Sequence, residues 1–229
     1  MLERKIEFNI GNTGIYARVL DKHGSQITYF NMHDNEKTSV KAGEKMVEGY
    51  GGQLIELRAQ GEHLIFFNLD KVDFYFDPNR IYTNSGIERT LLENKNYSAE
   101  AFHEIKKFSD KLIDIVFKEK PKLIIALHNN KDNFFEEYCQ NAKDFFVNPG
   151  KNPCNFFFTT EEDFFYYLKS KKFNVVLQNN EQVIDDGSLS VYCSKNKIPY
   201  INVEASHGDL DEQVKMLEEV QKIFEIESF

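Results

Sequence analysis

Four short segments of this chain carry residues that could hold a metal ion and work on a carbonyl group. Each lies where a strand-like run gives way to a turn. His33-Asp34-Asn35-Glu36 follows the run Ile27 to Met32, and a histidine and a glutamate three apart in a turn can face one ion. Imidazole nitrogen and carboxylate oxygen are ordinary zinc ligands. His128 stands at the tip of the unbroken apolar run Leu123 to Leu127, where the plain alternative is a neutral histidine capping a strand end. Asp77-Pro78-Asn79-Arg80 offers a guanidinium fork that matches a carboxylate in bidentate fashion, with an amide beside it; the plain alternative is a β-turn with a solvated arginine. Glu204 closes the run Tyr200 to Val203. A carboxylate at a buried strand end is costly without a partner or a role. General base beside a metal-bound water is one such role, and an ion pair with Lys215 is the structural alternative.

Strand ends matter because ligands in open α/β sheets gather at the carboxyl ends of the strands. The elements behind these segments can be read from periodicity. Lys5 to Ile10, Gly14 to Leu20, Ile27 to Met32, Gln53 to Ala59 and His63 to Leu69 read as strands, the first three separated by turn signals at Gly11-Asn12 and Asp21 to Gly24. Thr38 to Tyr50 reads as a helix ended by Gly51-Gly52. Ser98 is an N-cap for a helix whose apolar residues run from Phe102 to Val116, with Pro121 beyond its end. Leu123 to Leu127 is apolar throughout, as a strand buried on both faces should be. Helix from Thr160 to about Ser170, strand Val175 to Leu177, helix Ser188 to Lys195, strand Tyr200 to Val203 and a final helix striped by Leu210, Val214, Leu217, Val220 and Phe224 complete the pattern. This alternation predicts an α/β layered chain with a mixed sheet, antiparallel on one side. We expect a single domain over residues 1–229. The irregular stretch Asn129 to Thr160 reads first as a surface excursion, with a cover over the site as the alternative.

Composition narrows the partners. Hydrophobic residues make up 41% and the formal net charge is −9, which argues against a nucleic-acid backbone as ligand. No run is long and apolar enough for a signal core or a membrane span, so we expect a cytoplasmic protein with no membrane partner. Cys139, Cys154 and Cys193 are an odd number without metal-binding spacing, which fits a reducing compartment. The 21 phenylalanines, including the pairs Phe66-Phe67, Phe134-Phe135 and Phe164-Phe165, read as core or half-buried surface.

In their order along the chain the four segments resemble the zinc carboxypeptidase superfamily, and more closely its aspartoacylase and succinylglutamate desuccinylase branch. The matching residues are His33-Asp34-Asn35-Glu36, Asp77-Pro78-Asn79-Arg80, Leu127-His128-Asn129 and Val203-Glu204-Ala205. The resemblance implies a three-layer α/β/α fold with a mixed central sheet, and zinc (Zn2+) held by His33, Glu36 and His128. It implies Asn79 and Arg80 on a substrate carboxylate and Glu204 as the catalytic base. The activity implied is cleavage of an amide bond in a peptide or N-acyl amino acid with a free carboxylate. Two departures stand out. The arginine that polarises the carbonyl in that branch has no counterpart in Asp70-Lys71-Val72-Asp73, with Arg58 or Arg89 as substitutes. The branch's C-terminal β domain has no counterpart after the last helix, which favours a larger substrate such as a peptide end. Two rival readings follow: a degenerate, metal-binding family member that holds carboxylate ligands without turnover, and a cysteine hydrolase built on Cys139 or Cys193. Tyr192 is a further donor by position, or simply packing.

Overall fold

The computed structural model describes residues 1–131 and 135–227; Phe134, from one of the aromatic pairs, lies outside them. The chain opens with strands β1 (Leu2–Ile10), β2 (Thr13–Lys22) and β3 (Ile27–Asn31). Helix α1 (Lys37–Tyr50) and strand β4 (Gly52–Arg58) follow, then a hairpin of β5 (Ile65–Leu69) and β6 (Val72–Phe76). A 3₁₀ turn over Pro78–Arg80 leads into α2 (Asn84–Glu93), α3 (Ala99–Phe117) and β7 (Leu123–Asn130). The second half holds α4 (Phe135–Cys139), β8 (Ala142–Phe146), β9 (Phe156–Thr159), α5 (Glu162–Ser170), β10 (Val175–Gln178), α6 (Leu189–Lys195), β11 (Tyr200–Ser206) and α7 (Leu210–Glu227).

Nine strands form one sheet in the order β1-β2-β4-β3-β7-β11-β9-β10-β8. The centre, β4-β3-β7-β11, is parallel. β1, β2 and β4 join antiparallel on one side, and β11 to β9 and β10 to β8 are antiparallel on the other. The sheet is therefore mixed, as the sequence predicts. It divides two cores: Phe30, Ile55, Ile105, Phe108 and Leu189 pack on one face, and Tyr29, Val47, Leu127, Phe165 and Leu217 on the other. Helices cover both faces, giving the α/β/α layering.

The central strands β3 and β7 are buried along their whole lengths, which is why they read as continuous apolar runs. Helix α1 buries Val40, Met46 and Val47, and Ser98 caps α3 by accepting from the Ala101 N–H at 3.0 Å.

Two readings need correction. His63 to Leu69 is not one strand: β5 begins at Ile65, pairs with the unanticipated β6, and leaves His63 in the preceding loop. The irregular stretch after Asn129 contains α4, β8 and β9, and α2 also went unread. Among the described residues, no helix is long and apolar enough to cross a membrane.

Candidate metal centre

The carboxyl ends of β3, β7 and β11 form one rim. His33 follows β3, and within the sheet His128 of β7 sits directly opposite Glu204 of β11. Glu36 occupies the N-cap position of α1. The side chains meet closely. His33 Nδ1 lies 2.9 Å from Glu36 Oε1 and 3.1 Å from His128 Nδ1, and His128 Nδ1 lies 3.3 Å from Glu36 Oε2. All three residues are buried.

Ligand atoms bound tetrahedrally to one ion at about 2.0–2.2 Å stand roughly 3.3 Å apart. The observed spacings of 2.9, 3.1 and 3.3 Å lie at or somewhat below that value, with the two histidines on different oxygens of Glu36, and the donor set of two imidazoles and one carboxylate suits a divalent metal ion. Outer contacts fix the orientation. His33 Nε2 meets Asp77 Oδ1 at 3.0 Å, the carboxylate–histidine arrangement that holds a ligand's tautomer. The Asn129 N–H donates to Glu36 Oε2 at 3.0 Å. Asn129 in turn accepts from the Ser39 N–H and donates to Gln213, whose amide donates to the His128 carbonyl. Burial requires such partners, and in this set His128 Nε2 is the exception, buried without one among the described residues.

Electrostatics prepare the cluster for a cation. Burial opposes protonation of His33, but the charges of Glu36 and Asp77 outweigh it and raise its pKa to about 10. Burial likewise opposes ionisation of Glu36, yet His33 and His128 hold its carboxyl well below the usual range. Asp77 is held low by the same histidine against its own burial. Without a metal, the carboxylates of Glu36 and Asp77 thus favour a proton on His33, and a metal bound there would have to displace it. Raising the pH removes the competitor, so apparent metal affinity is expected to rise about tenfold per pH unit for each proton released, across the neutral range. Metal titrations at pH 6, 7 and 8, with calorimetry in buffers of different ionisation heat, measure both quantities. A pH-independent affinity would contradict this electrostatic picture.

Asp34, between His33 and Glu36, does not face the cluster. It accepts from the N–H groups of Ala59 at 2.9 Å and Gly61 at 2.8 Å and pairs with Lys37 and Arg58. It therefore ties down the loop that carries His63. That imidazole stacks on His33 with ring centroids 3.7 Å apart, 3.5 Å from Glu36 Oε1 and half exposed. His33, Glu36 and His63 place ligand atoms within 4.8 Å of one another, with both imidazoles on Oε1 of Glu36 while His128 approaches Oε2. His63 is therefore a further candidate donor beside the buried set with His128.

Next to the cluster lies a cavity of about 400 Å3, lined also by Asn79, Arg80, Glu204 and Tyr138. Glu204 is 6% exposed and accepts from Asn130 at 2.9 Å and Asn202 at 3.1 Å. Asn79 Oδ1 accepts from the Leu189 N–H at 3.1 Å, which turns the amide NH2 of Asn79 outward as a donor. Arg80 donates to the Asn79 carbonyl at 2.9 Å and faces Asp186 at 3.7 Å. Its own carbonyl is wedged against Gly86 and Gly187: a Cβ on Gly187, whose φ is +78°, would lie 2.3 Å from the Arg80 oxygen. Only glycine permits this approach, so two glycines set the position of Arg80. Burial and the charge of Glu204 push the Tyr138 hydroxyl up, so it stays a hydrogen-bond donor.

The chain is similar to solved structures of the succinylglutamate desuccinylase and aspartoacylase family. One is a candidate member from Shewanella amazonensis, at 11% identity and TM-score 0.45, with 95% of this chain and 71% of that one covered. Another is a succinylglutamate desuccinylase/aspartoacylase from Rhodobacter sphaeroides, at 9% identity and TM-score 0.46, with 91% and 58% covered. A candidate metallopeptidase from Shewanella denitrificans follows at 11% identity and TM-score 0.47, with 96% and 82% covered. No family model matches the chain, and no curated protein does.

The structure thus brings His33, Glu36, His128, Asn79, Arg80 and Glu204 around one cavity. Other expectations fail. Lys215 pairs with Glu212 and not with Glu204. Arg58 is engaged by Glu56 and Asp34, Arg89 is exposed on α2, and neither lines the cavity. For Tyr192 the packing reading holds and the donor role falls away: it packs on Phe117 and Tyr82. Burial pushes the thiols of Cys139 and Cys193 up, opposite to what a nucleophile requires. A larger cavity, about 590 Å3, opens elsewhere among Asp21, Gly52 and Lys122. It mixes charges of both signs and lies at the amino ends of β3 and β4, away from the cluster. Sequence reasoning missed Asp77 as the partner of His33, and also His63 and Tyr138.

Proposed function

We propose that the protein is a zinc-dependent hydrolase that cleaves the amide bond of a peptide or N-acyl amino acid bearing a free carboxylate. The observation that carries this reading is the meeting of His33 Nδ1 and His128 Nδ1 at 3.1 Å with the Glu36 carboxylate, whose Oε1 lies 2.9 Å from the first and whose Oε2 lies 3.3 Å from the second, beside a buried Glu204 in the same cavity. His33, Glu36 and His128 would hold the ion. When bound, zinc with three protein ligands lowers the pKa of a water to about 7 and polarises a carbonyl.

The remaining steps belong to the chain's own residues. Arg80 and the outward NH2 of Asn79 bind the substrate carboxylate and so set the distance of the scissile carbonyl from the ligand cluster. Glu204 accepts the proton of the attacking water and returns it to the leaving nitrogen. Asn130 and Asn202 orient that carboxylate by donating to both of its oxygens. Tyr138 and His63 supply donors on the cavity wall.

The test is metal-dependent turnover. N-acyl amino acids and short peptides with free C-termini should be hydrolysed by the zinc-loaded protein, activity should vanish on chelation and return with zinc, and C-terminal amidation should abolish it. Equal hydrolysis of amidated and free substrates would remove Arg80 and Asn79 from the proposal. One observation favours a second reading, a carboxylate-binding protein without turnover: Arg80 is the only arginine or lysine among the residues lining the cavity, so charge assistance to the carbonyl would fall to the ion and His63. Tight carboxylate binding by a zinc-loaded protein that hydrolyses none of these substrates would select it.

A further inference from the structure

A second chamber of about 200 Å3 adjoins the first and shares Asn79, Arg80, Glu137 and Tyr138 with it. Its floor is one face of the sheet, with Asn202 on β11, Phe158 on β9 and Gln178 on β10; α6 and the turn before it cover the opposite side with Ser188, Ser190 and Asp186.

Two buried acceptors line this chamber without a partner. Gln178 is 4% exposed and Asn202 is 2% exposed, and neither Gln178 Oε1 nor Asn202 Oδ1 has a hydrogen-bond partner among the described residues. Their orientations are fixed by the groups that take their NH2 ends. Asn202 donates to the Glu204 carboxylate at 3.1 Å. Gln178 donates to Asn180 Oδ1 at 3.0 Å, and Asn180 in turn donates to the Thr160 carbonyl. Reversing either amide would set its oxygen against another acceptor, Asn180 Oδ1 for Gln178 and the Glu204 carboxylate for Asn202. Buried acceptors left bare are expensive, and here both lie in the wall of a cavity that opens beside Arg80.

Charge points the same way. Of the ionisable groups in the wall, Arg80 is positive and Asp186 and Glu137 are negative. A substrate carboxylate on Arg80 would neutralise the one cation and leave Asp186, 3.7 Å from the Arg80 Nε, as uncompensated negative charge within the chamber.

We propose that this chamber receives the side chain of the carboxylate-bearing residue and selects a cationic hydrogen-bond donor, a guanidino or amino group of the arginine or lysine type, over an aliphatic or acidic one. The proposal rests on the carboxylate-anchoring role given to Arg80 and Asn79 above. Gln178 and Asn202 supply the acceptors and Asp186 the opposite charge, while Phe158 and Val191 flank the methylene stem.

The test separates binding from turnover. Free arginine, lysine, leucine and glutamate are titrated into the zinc-loaded protein by calorimetry, and the matching C-terminal residues are compared in an acyl-amino-acid hydrolysis assay. Arginine and lysine should bind at least about tenfold more tightly than leucine, with glutamate weakest. In Gln178→Leu the preference for arginine over leucine should shrink by roughly five- to a hundredfold, the range expected for one buried hydrogen bond. Gln178→Glu should widen it, which guards against a variant that merely misfolds. Tightest binding of leucine or glutamate, an arginine-over-leucine preference unchanged in magnitude in both variants, or no binding of any of the four would overturn the proposal. Ordered binding without hydrolysis would leave this chamber standing and defeat the hydrolase reading alone.

Discussion

Glu204→Gln is expected to take up metal as the wild type does and to hydrolyse substrate at least about a hundredfold more slowly, the usual contribution of general acid–base help. The side chain is buried and receives two amide donors, from Asn130 and Asn202. It has no lysine or arginine partner among the described residues; Lys215, the obvious candidate, is taken by Glu212. A carboxylate buried without a countercharge is costly, and a proton-accepting role accounts for keeping it. The substitution sets the new NH2 against one of the two asparagine donors, at a cost of about 1–3 kcal/mol in stability. Melting temperature and zinc content must therefore be measured beside the rate. Full activity in a zinc-loaded variant would exclude Glu204 as the base.

The second large effect is on the metal itself. His33→Ala and His128→Ala each remove one of three convergent donors, and each should reduce zinc affinity by more than the ten- to hundredfold typical of losing an orienting partner. Asp77→Asn provides the graded control. It leaves all three donors in place and removes only the carboxylate 3.0 Å from His33 Nε2, so its loss should fall within roughly ten- to hundredfold. Elemental analysis after dialysis against a weak chelator reads all three. Full metal content in both alanine variants would dissolve the proposed centre, and an Asp77→Asn loss as large as that of His33→Ala would make Asp77 more than an orienting group.

How legible was this in the sequence? The central strands were plain because burial on both faces leaves no polar positions: Leu123 to Leu127 could be little else. The candidate site was legible for the same reason. His128 and Glu204 interrupt apolar runs, and His33-Asp34-Asn35-Glu36 follows one. Elements at the sheet's margin were not legible. Strand β8 alternates half-buried and exposed residues at the edge of the sheet, and β9 is four residues set after an asparagine- and proline-rich turn. Helix α2 did leave a signal, Thr83 as an N-cap accepting from the Gly86 N–H with Ile87 and Leu91 spaced to face the core. His63 was misread because it lies in a loop placed by the Asp34 carboxylate, a contact between residues 27 apart that no local pattern encodes. Tyr138 was missed because the helix that carries it is a single short turn in an otherwise polar stretch.

The buried carboxamide of Gln213 joins helix α7 to Asn129 and to the His128 carbonyl, and Asn129 in turn braces Glu36 through its N–H. During synthesis, then, residues near position 33 must wait for segments almost a hundred, and then almost two hundred, positions downstream before their partners exist. Contacts of such sequence separation are late and slow to form. A nascent chain still on the ribosome offers only scattered imidazoles and carboxylates, and at the proposed centre ion capture would be a seal set on an already finished fold.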